Sequence, residues 1–87
     1  MAITDVEQEL VIDLRNAAEN LRVDSFTVLL MRLMMKSDDV NFTKLKLVYP
    51  LEAMCVWKFR NDDSYAGNGI NPYNYSKLVH DVMKGAR

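Results

Sequence analysis

The feature that most constrains the fold of this 87-residue chain is a dense apolar segment at residues 26–35. Eight of its ten residues are apolar, and only Thr27 and Arg32 interrupt them. A helix that is apolar on nearly every side is typical of a bundle centre or a subunit interface, because leucine and methionine would otherwise face water. Ten residues are too few to cross a bilayer, which takes about 20. The segment therefore predicts a helix enclosed by other helices, from this chain or a second copy.

Capping residues and helical spacing of apolar residues predict an all-α fold, a compact bundle of four to five short helices. Thr4 and Glu7 are spaced as a capping box at the first helix. Asn71 and Pro72 are typical of a helix start, with asparagine as the cap and proline in the first turn. The predicted helices cover about residues 4–21, 25–36, 41–48, 50–60 and 72–84.

Residues 42–49 are the ambiguous part of the pattern. Lysine and leucine alternate from 44 to 47 as in a strand, so a β-hairpin over residues 42–60 is the minority alternative. Phe42, Leu45 and Val48 also fit helical spacing, and Pro50 is typical of the first position of a helix. We therefore favour two helices here.

Length and composition predict one domain, residues 1–87, with a polar loop at residues 61–71. Cys55 is the only cysteine, and a lone thiol fits a reducing compartment. No basic region followed by an apolar region marks a secretory signal at the start of the sequence. We therefore expect a cytoplasmic protein that does not span a membrane.

The sequence predicts no catalytic residue, no metal site and no cofactor. Ser76 and His80 are four residues apart, but an acid that orients the histidine and oxyanion donors are not signalled. One cysteine and one histidine cannot form a structural zinc site. Residues 67–69, Gly-Asn-Gly, lack the further glycine and lysine of a phosphate-binding loop. We therefore expect a protein that is not an enzyme.

An aromatic and polar stretch in the second half of the chain predicts a surface for a protein partner. Tyrosine, tryptophan and arginine provide large contact area and are enriched at the most energetic positions of interfaces. The alternative is that Trp57 and Tyr75 belong to the core while Tyr65 and Tyr73 cover a loop. The predicted partner-binding residues are Trp57, Arg60, Tyr65, Asn68, Tyr73 and Tyr75.

The apolar segment also predicts self-association, with burial in the chain's own core as the alternative. The residues expected on this surface are Leu30, Met31, Met34 and Met35. Residues 42–60 are basic, with four cationic side chains against one acidic, which leaves nucleic-acid binding as a less favoured alternative. Its candidates are Lys44, Lys46, Lys58 and Arg60. A sequence pI of about 5.7 argues against it, because affinity for phosphates grows with the number neutralised.

Residues 38–53 read Asp-Asp-Val-Asn-Phe-Thr-Lys-Leu-Lys-Leu-Val-Tyr-Pro-Leu-Glu-Ala, and Trp57 and Arg60 follow. With Asn, Lys-Leu, an aromatic-Pro pair, Glu-Ala and Trp at comparable steps, residues 38–60 resemble a pattern in small all-helical accessory proteins of bacteriophages and mobile elements. The resemblance implies helices on either side of Pro50 and a phage or plasmid origin. It transfers no activity and no site residue.

These observations lead us to expect a non-enzymatic protein-interaction module. The resemblance implies a phage or mobile-element accessory protein that binds and modulates a host macromolecule, and we expect it to self-associate through the second helix. The first alternative is a helix-turn-helix regulator that binds nucleic acid through the basic residues. The second is a small-ligand binder that uses Trp57 and the tyrosines.

Overall fold

A computed structural model describes residues 3–67, 70 and 72–85, with side chains from residue 6 onward. Within these residues the chain is all-α, as predicted, and residues 42–60 belong to two helices, so the hairpin alternative is wrong. The helices are α1 (Ile3–Ala18), α2 (Phe26–Lys36), α3 (Asp39–Val48), α4 (Pro50–Asn61) and α5 (Tyr75–Gly85), with a short 3-10 turn at Asp63–Tyr65.

Local capping explains where three of the helices begin. The Ser25 side chain accepts a hydrogen bond from the Val28 amide at 3.4 Å, and Asp38 accepts one from the Asn41 amide at 2.8 Å. These bonds satisfy amides that have no carbonyl partner in the first turns of α2 and α3. Pro50 occupies the first turn of α4, where its missing N–H is not needed.

The first helix differs from its prediction at both ends. It begins at Ile3, so Thr4 lies inside it and is not its N-cap. It ends at Ala18 and does not continue to residue 21, because Asn20 adopts a left-handed backbone with φ of 53°. The Leu21 amide donates a hydrogen bond to the Asn16 carbonyl at 3.0 Å. This is the 6→1 hydrogen bond of a Schellman motif, which is a common C-terminal cap of helices.

The fifth helix begins at Tyr75, later than the predicted residue 72. Asn74 is its cap, since its side-chain oxygen accepts from the Lys77 amide at 3.0 Å. The Asn74 amide also donates to the Tyr65 carbonyl at 2.9 Å. This bond holds the segment before Tyr75 against the 3-10 turn, so the helix begins only at Tyr75. The predicted cap Asn71 lies outside the described residues.

The core lies between α1, α2, α4 and α5. Among the described residues, α3 contributes none that is fully buried, and its Phe42 and Leu45 pack partly exposed against this core. Within the described ranges, no helix has the length and apolarity needed to span a bilayer. The core residues without exposed surface are Leu14, Val28, Met31, Met34, Ala53, Cys55, Val56, Leu78 and Val79.

The second and fourth helices lie side by side and point the same way. At their beginnings, the rings of Phe26 and Tyr49 are 5.8 Å apart. Near their ends, Nη1 of Arg60 donates to the Met34 carbonyl at 3.3 Å. The third helix connects the end of α2 to the beginning of α4, so it runs antiparallel to both. One side of α2 therefore lies next to α3 without being covered by it.

Candidate functional site

The second helix carries apolar side chains on two faces with different environments. Val28, Met31 and Met34 point into the core and have no exposed surface. On the outer face, Phe26, Leu29 and Leu33 form a stripe at helical spacing and are 66%, 48% and 56% exposed. A single exposed leucine is ordinary on a protein surface, whereas a stripe of large apolar residues is typical of an interaction site.

Leu33, the last residue of this stripe, lines a groove between α2 and α3. The groove has a volume of about 560 Å³. It is lined by Leu33 and Lys36 of α2, Ser37 and Asp38 of the connection, and Asn41, Lys44 and Leu45 of α3. We call this groove, together with the stripe residues Phe26 and Leu29 that lie beyond its lining, the α2–α3 groove.

Exposed apolar side chains continue along both helices beyond the residues that line the groove. On α3, Val48 follows Leu45 at a step of three residues and is 68% exposed. On α2, the stripe ends at Phe26, whose ring contacts Tyr49. From Phe26 to Leu33 the stripe is about 10 Å long at 1.5 Å per residue, or about two helical turns.

Two lysines line the groove without an acidic partner within the described part of the chain. Lys58 and Lys77 each lie beside an aspartate four residues further on, at 4.0 and 3.5 Å. Lys36 and Lys44 form no such pair. The carboxylate of Asp38, which also lines the groove, accepts the capping bond of α3. The groove therefore combines the apolar side chains of Leu33 and Leu45 with two ammonium groups and one carboxylate, an excess of one positive charge.

The predicted partner-binding aromatics do not form one exposed surface. Tyr73 and Tyr75 are half-buried, and their ring centroids lie 5.2 and 6.3 Å from that of Phe59 of α4 and 4.6 Å from each other. Burial raises the pKa of Tyr73, and burial with nearby Glu19 raises that of Tyr75 to about 12. These rings attach the segment before α5 to α4, so their contact surface is largely used within the chain.

The other predicted partner-binding residues have three different environments. Tyr65 is buried, with 6% of its surface exposed, and bonds to Asp81 of α5. The guanidinium of Arg60 donates to a backbone carbonyl of α2. Trp57 is 47% exposed and remains available for contact. Asn68 lies outside the described residues.

The predicted self-association residues are mostly part of the chain's own core. Leu30, Met31 and Met34 are 7%, 0% and 0% exposed, and Met35 is half-buried against the same cluster. Side chains without accessible surface cannot contact a second copy in this fold. This burial favours the alternative stated above, that Leu30, Met31 and Met34 belong to the chain's own core, and the outward residues of α2 are those of the stripe.

The four cations of the nucleic-acid alternative are divided between two helices. Lys44 and Lys46 are exposed on α3. On α4, Lys58 lies 4.0 Å from Asp62 and 5.8 Å from the centre of the Tyr65 ring, and Arg60 is bonded to α2. Because Lys58 and Arg60 already have partners within the chain, they would release fewer counterions on binding phosphate. These contacts therefore weaken the case for nucleic-acid binding.

Glu7 and His80 form a contact that sequence reasoning missed. Nδ1 of His80 lies 3.0 Å from Oε1 of Glu7, which joins α5 to α1. The carboxylate thus stands where a triad acid would, but the described hydrogen bonds include none between Ser76 and His80. Among the described residues, no group of three or more His, Cys, Asp or Glu could hold a metal ion.

Comparisons with protein-family models, curated proteins and solved structures give no match to this chain.

Proposed function

We propose that this chain is a non-enzymatic protein-interaction module that binds its partner in the α2–α3 groove. The observation that carries the proposal is the outward stripe of Phe26, Leu29 and Leu33 on the helix whose other face is in the core. Binding is stoichiometric, and the resemblance of residues 38–60 favours a phage or mobile-element protein that modulates a host macromolecule. The lone, buried Cys55 favours the reducing cytoplasm.

Burial of the stripe supplies the driving force for binding. Full burial of a leucine or phenylalanine side chain contributes roughly 1.5–3 kcal/mol, and the three stripe residues each leave about half or more of their surface in water. Ordering and loss of translational freedom offset part of this gain. A groove between two helices that continues into an exposed apolar stripe matches the mode in which a partner lays one helical face into a groove.

The test compares the capture of a partner protein by the wild-type chain and by two variants. Each variant replaces one exposed aliphatic residue with asparagine. Leu33→Asn alters the groove, and Ile12→Asn alters α1, where Ile12 is 57% exposed against 56% for Leu33. We expect one protein to be retained by the wild type and by Ile12→Asn, and lost by Leu33→Asn. Circular dichroism of both variants verifies that each is folded.

Two results would contradict the proposal. One is a captured protein that Leu33→Asn retains as well as the wild type does. The other is capture that both asparagine variants lose equally, which would assign the effect to general surface apolarity.

A further inference from the structure

We propose that the α2–α3 groove takes an acidic amphipathic helix of a different protein, whose carboxylates bind Lys36 and Lys44. This inference rests on the proposed function, because it names the chemistry of the partner at the same site.

The shape of the groove specifies the secondary structure of its occupant. Its apolar stripe from Phe26 to Leu33 is about 10 Å long at 1.5 Å per residue. The connection at residues 37–38 lies at one end and the Phe26–Tyr49 contact lies at the other. A helix of two to three turns with apolar residues at steps of three and four presents a stripe of that length. An extended strand finds no sheet edge here among the described residues.

The charge of the groove specifies the flanks of that helix. Lys36 and Lys44 lie on opposite walls near Leu33 and Leu45, and neither has an acidic partner in the described ranges. A helix that covers the groove removes water from these ammonium groups, which is costly unless a carboxylate replaces it. One oxygen of Asp38 accepts the α3 capping bond, and its single negative charge stands against two ammonium groups in the lining. The lining therefore keeps one excess positive charge, which acidic residues of the occupant would balance.

A second copy of the chain fits the groove less well than an acidic partner does. In a two-fold dimer the same patch of each subunit meets the other. Such pairing would bring Lys36 and Lys44 of both copies together, and like charges across an interface are unfavourable. Duplex DNA also fits poorly, because Leu33 and Leu45 stand beside the two lysines where a phosphate backbone needs polar contacts.

A selection from displayed helical peptides tests the inference. The peptides have about 14 residues, with leucines fixed at steps of three and four and glutamate or lysine encoded equally at the flanking positions. We expect the wild-type chain to enrich glutamate at the flanks. The Kd of a selected peptide should rise about tenfold for Lys36→Glu and for Lys44→Glu, a loss on the order of 1.4 kcal/mol.

Lys46→Glu is the matched control, because Lys46 is an exposed α3 lysine that is not among the residues lining the groove. Lys46→Glu should change the Kd of the peptide less than about threefold, since it alters only the long-range electrostatic field. Selection with Lys36→Glu/Lys44→Glu should enrich lysine instead, and light scattering should show the unbound wild type as a monomer.

Several outcomes would overturn the inference. They are equal recovery of glutamate and lysine, failure to enrich any peptide, peptides that bind Leu33→Asn as tightly as the wild type, and a wild-type dimer that Leu33→Asn dissociates. Competition of the selected peptide by duplex DNA at physiological salt would also overturn it. Capture of a protein that depends on Leu33 but shows no acidic preference would leave the proposed function intact.

Discussion

The hydroxyl of Tyr65 donates a 2.6 Å hydrogen bond to Oδ2 of Asp81, which fastens the 3-10 turn to α5. The bond affects the two groups in opposite directions. It lowers the pKa of Asp81, assisted by Lys77, because the carboxylate is the better acceptor. It also raises the pKa of Tyr65 to about 12, together with burial of the ring. The polar loop is thus connected to α5 by a bond whose strength depends on pH.

Removal of this hydroxyl should destabilise the protein more at neutral pH than in acid. A carboxyl with a lowered pKa in the folded state contributes stability that is lost as pH falls from about 4 through the folded value. Urea unfolding of the wild type and Tyr65→Phe should therefore differ near pH 7 and converge toward about pH 3. Tyr49→Phe, which removes a hydroxyl without a described hydrogen bond, is the control. An equal difference at both pH values would contradict the prediction.

Alkali should unfold the protein through three of its tyrosines. The pKa of Tyr65 and of Tyr75 is raised to about 12, and that of Tyr73 is also raised. Since unfolded tyrosines release protons near pH 10, rising pH favours the unfolded state between about 10 and 12. Tyrosinate absorbance should develop in step with loss of helical circular dichroism. Complete ionisation near pH 10.5, with the helices intact, would refute this.

Arg32 should be essential for the connection between α1 and α2, despite its place in an apolar helix. Its guanidinium donates to the carbonyls of Asn16 and Val23 at 3.4 and 3.3 Å, and to that of Leu21. Lysine lacks this planar set of donors. Arg32→Lys should lower the free energy of unfolding by about 1–3 kcal/mol in urea titrations.

The control for this substitution is Arg22→Lys, in an exposed residue without a described side-chain bond. It should change stability by less than about 0.5 kcal/mol. Equal stability of the two variants would show that the contacts of Arg32 with the carbonyls contribute nothing.

Cys55 should react with thiol reagents only when the protein opens. Its side chain is fully buried, and burial, with Glu52 nearby, raises the pKa of the thiol to about 12. The reactive thiolate is therefore scarce as well as inaccessible. At about pH 8 the folded protein should label slowly and the denatured protein at once. A cysteine introduced by Gln8→Cys, at an exposed position, should label rapidly in the folded protein, and equally rapid labelling of Cys55 would contradict its burial.

Local chemistry allowed much of the helical pattern to be read from the chain itself. Ser25, Asp38 and Pro50 mark the starts of three helices, because caps and proline act within a few residues along the sequence. The ambiguous residues 42–49 are helical, in agreement with the spacing of Phe42, Leu45 and Val48.

Long-range contacts could not be read in this way. Nearness in sequence predicts one surface for the tyrosines, yet Tyr65 bonds to Asp81 while Tyr73 and Tyr75 pack on Phe59. Glu7 and His80 are 73 residues apart, and nothing in the sequence pairs them. Such partners depend on how the helices are arranged.

The second helix shows most clearly the difference between local sequence patterns and long-range packing. Its composition alone requires that much of its surface be enclosed, since so many apolar side chains are unfavourable in water. Its spacing does not select the enclosed face, because leucine and methionine occur on nearly every side. Packing against α1 and α4 placed Met31 and Met34 inside and left Leu29 and Leu33 outside. The groove exists because α3, with no buried side chain described, lies beside that outer face without covering it.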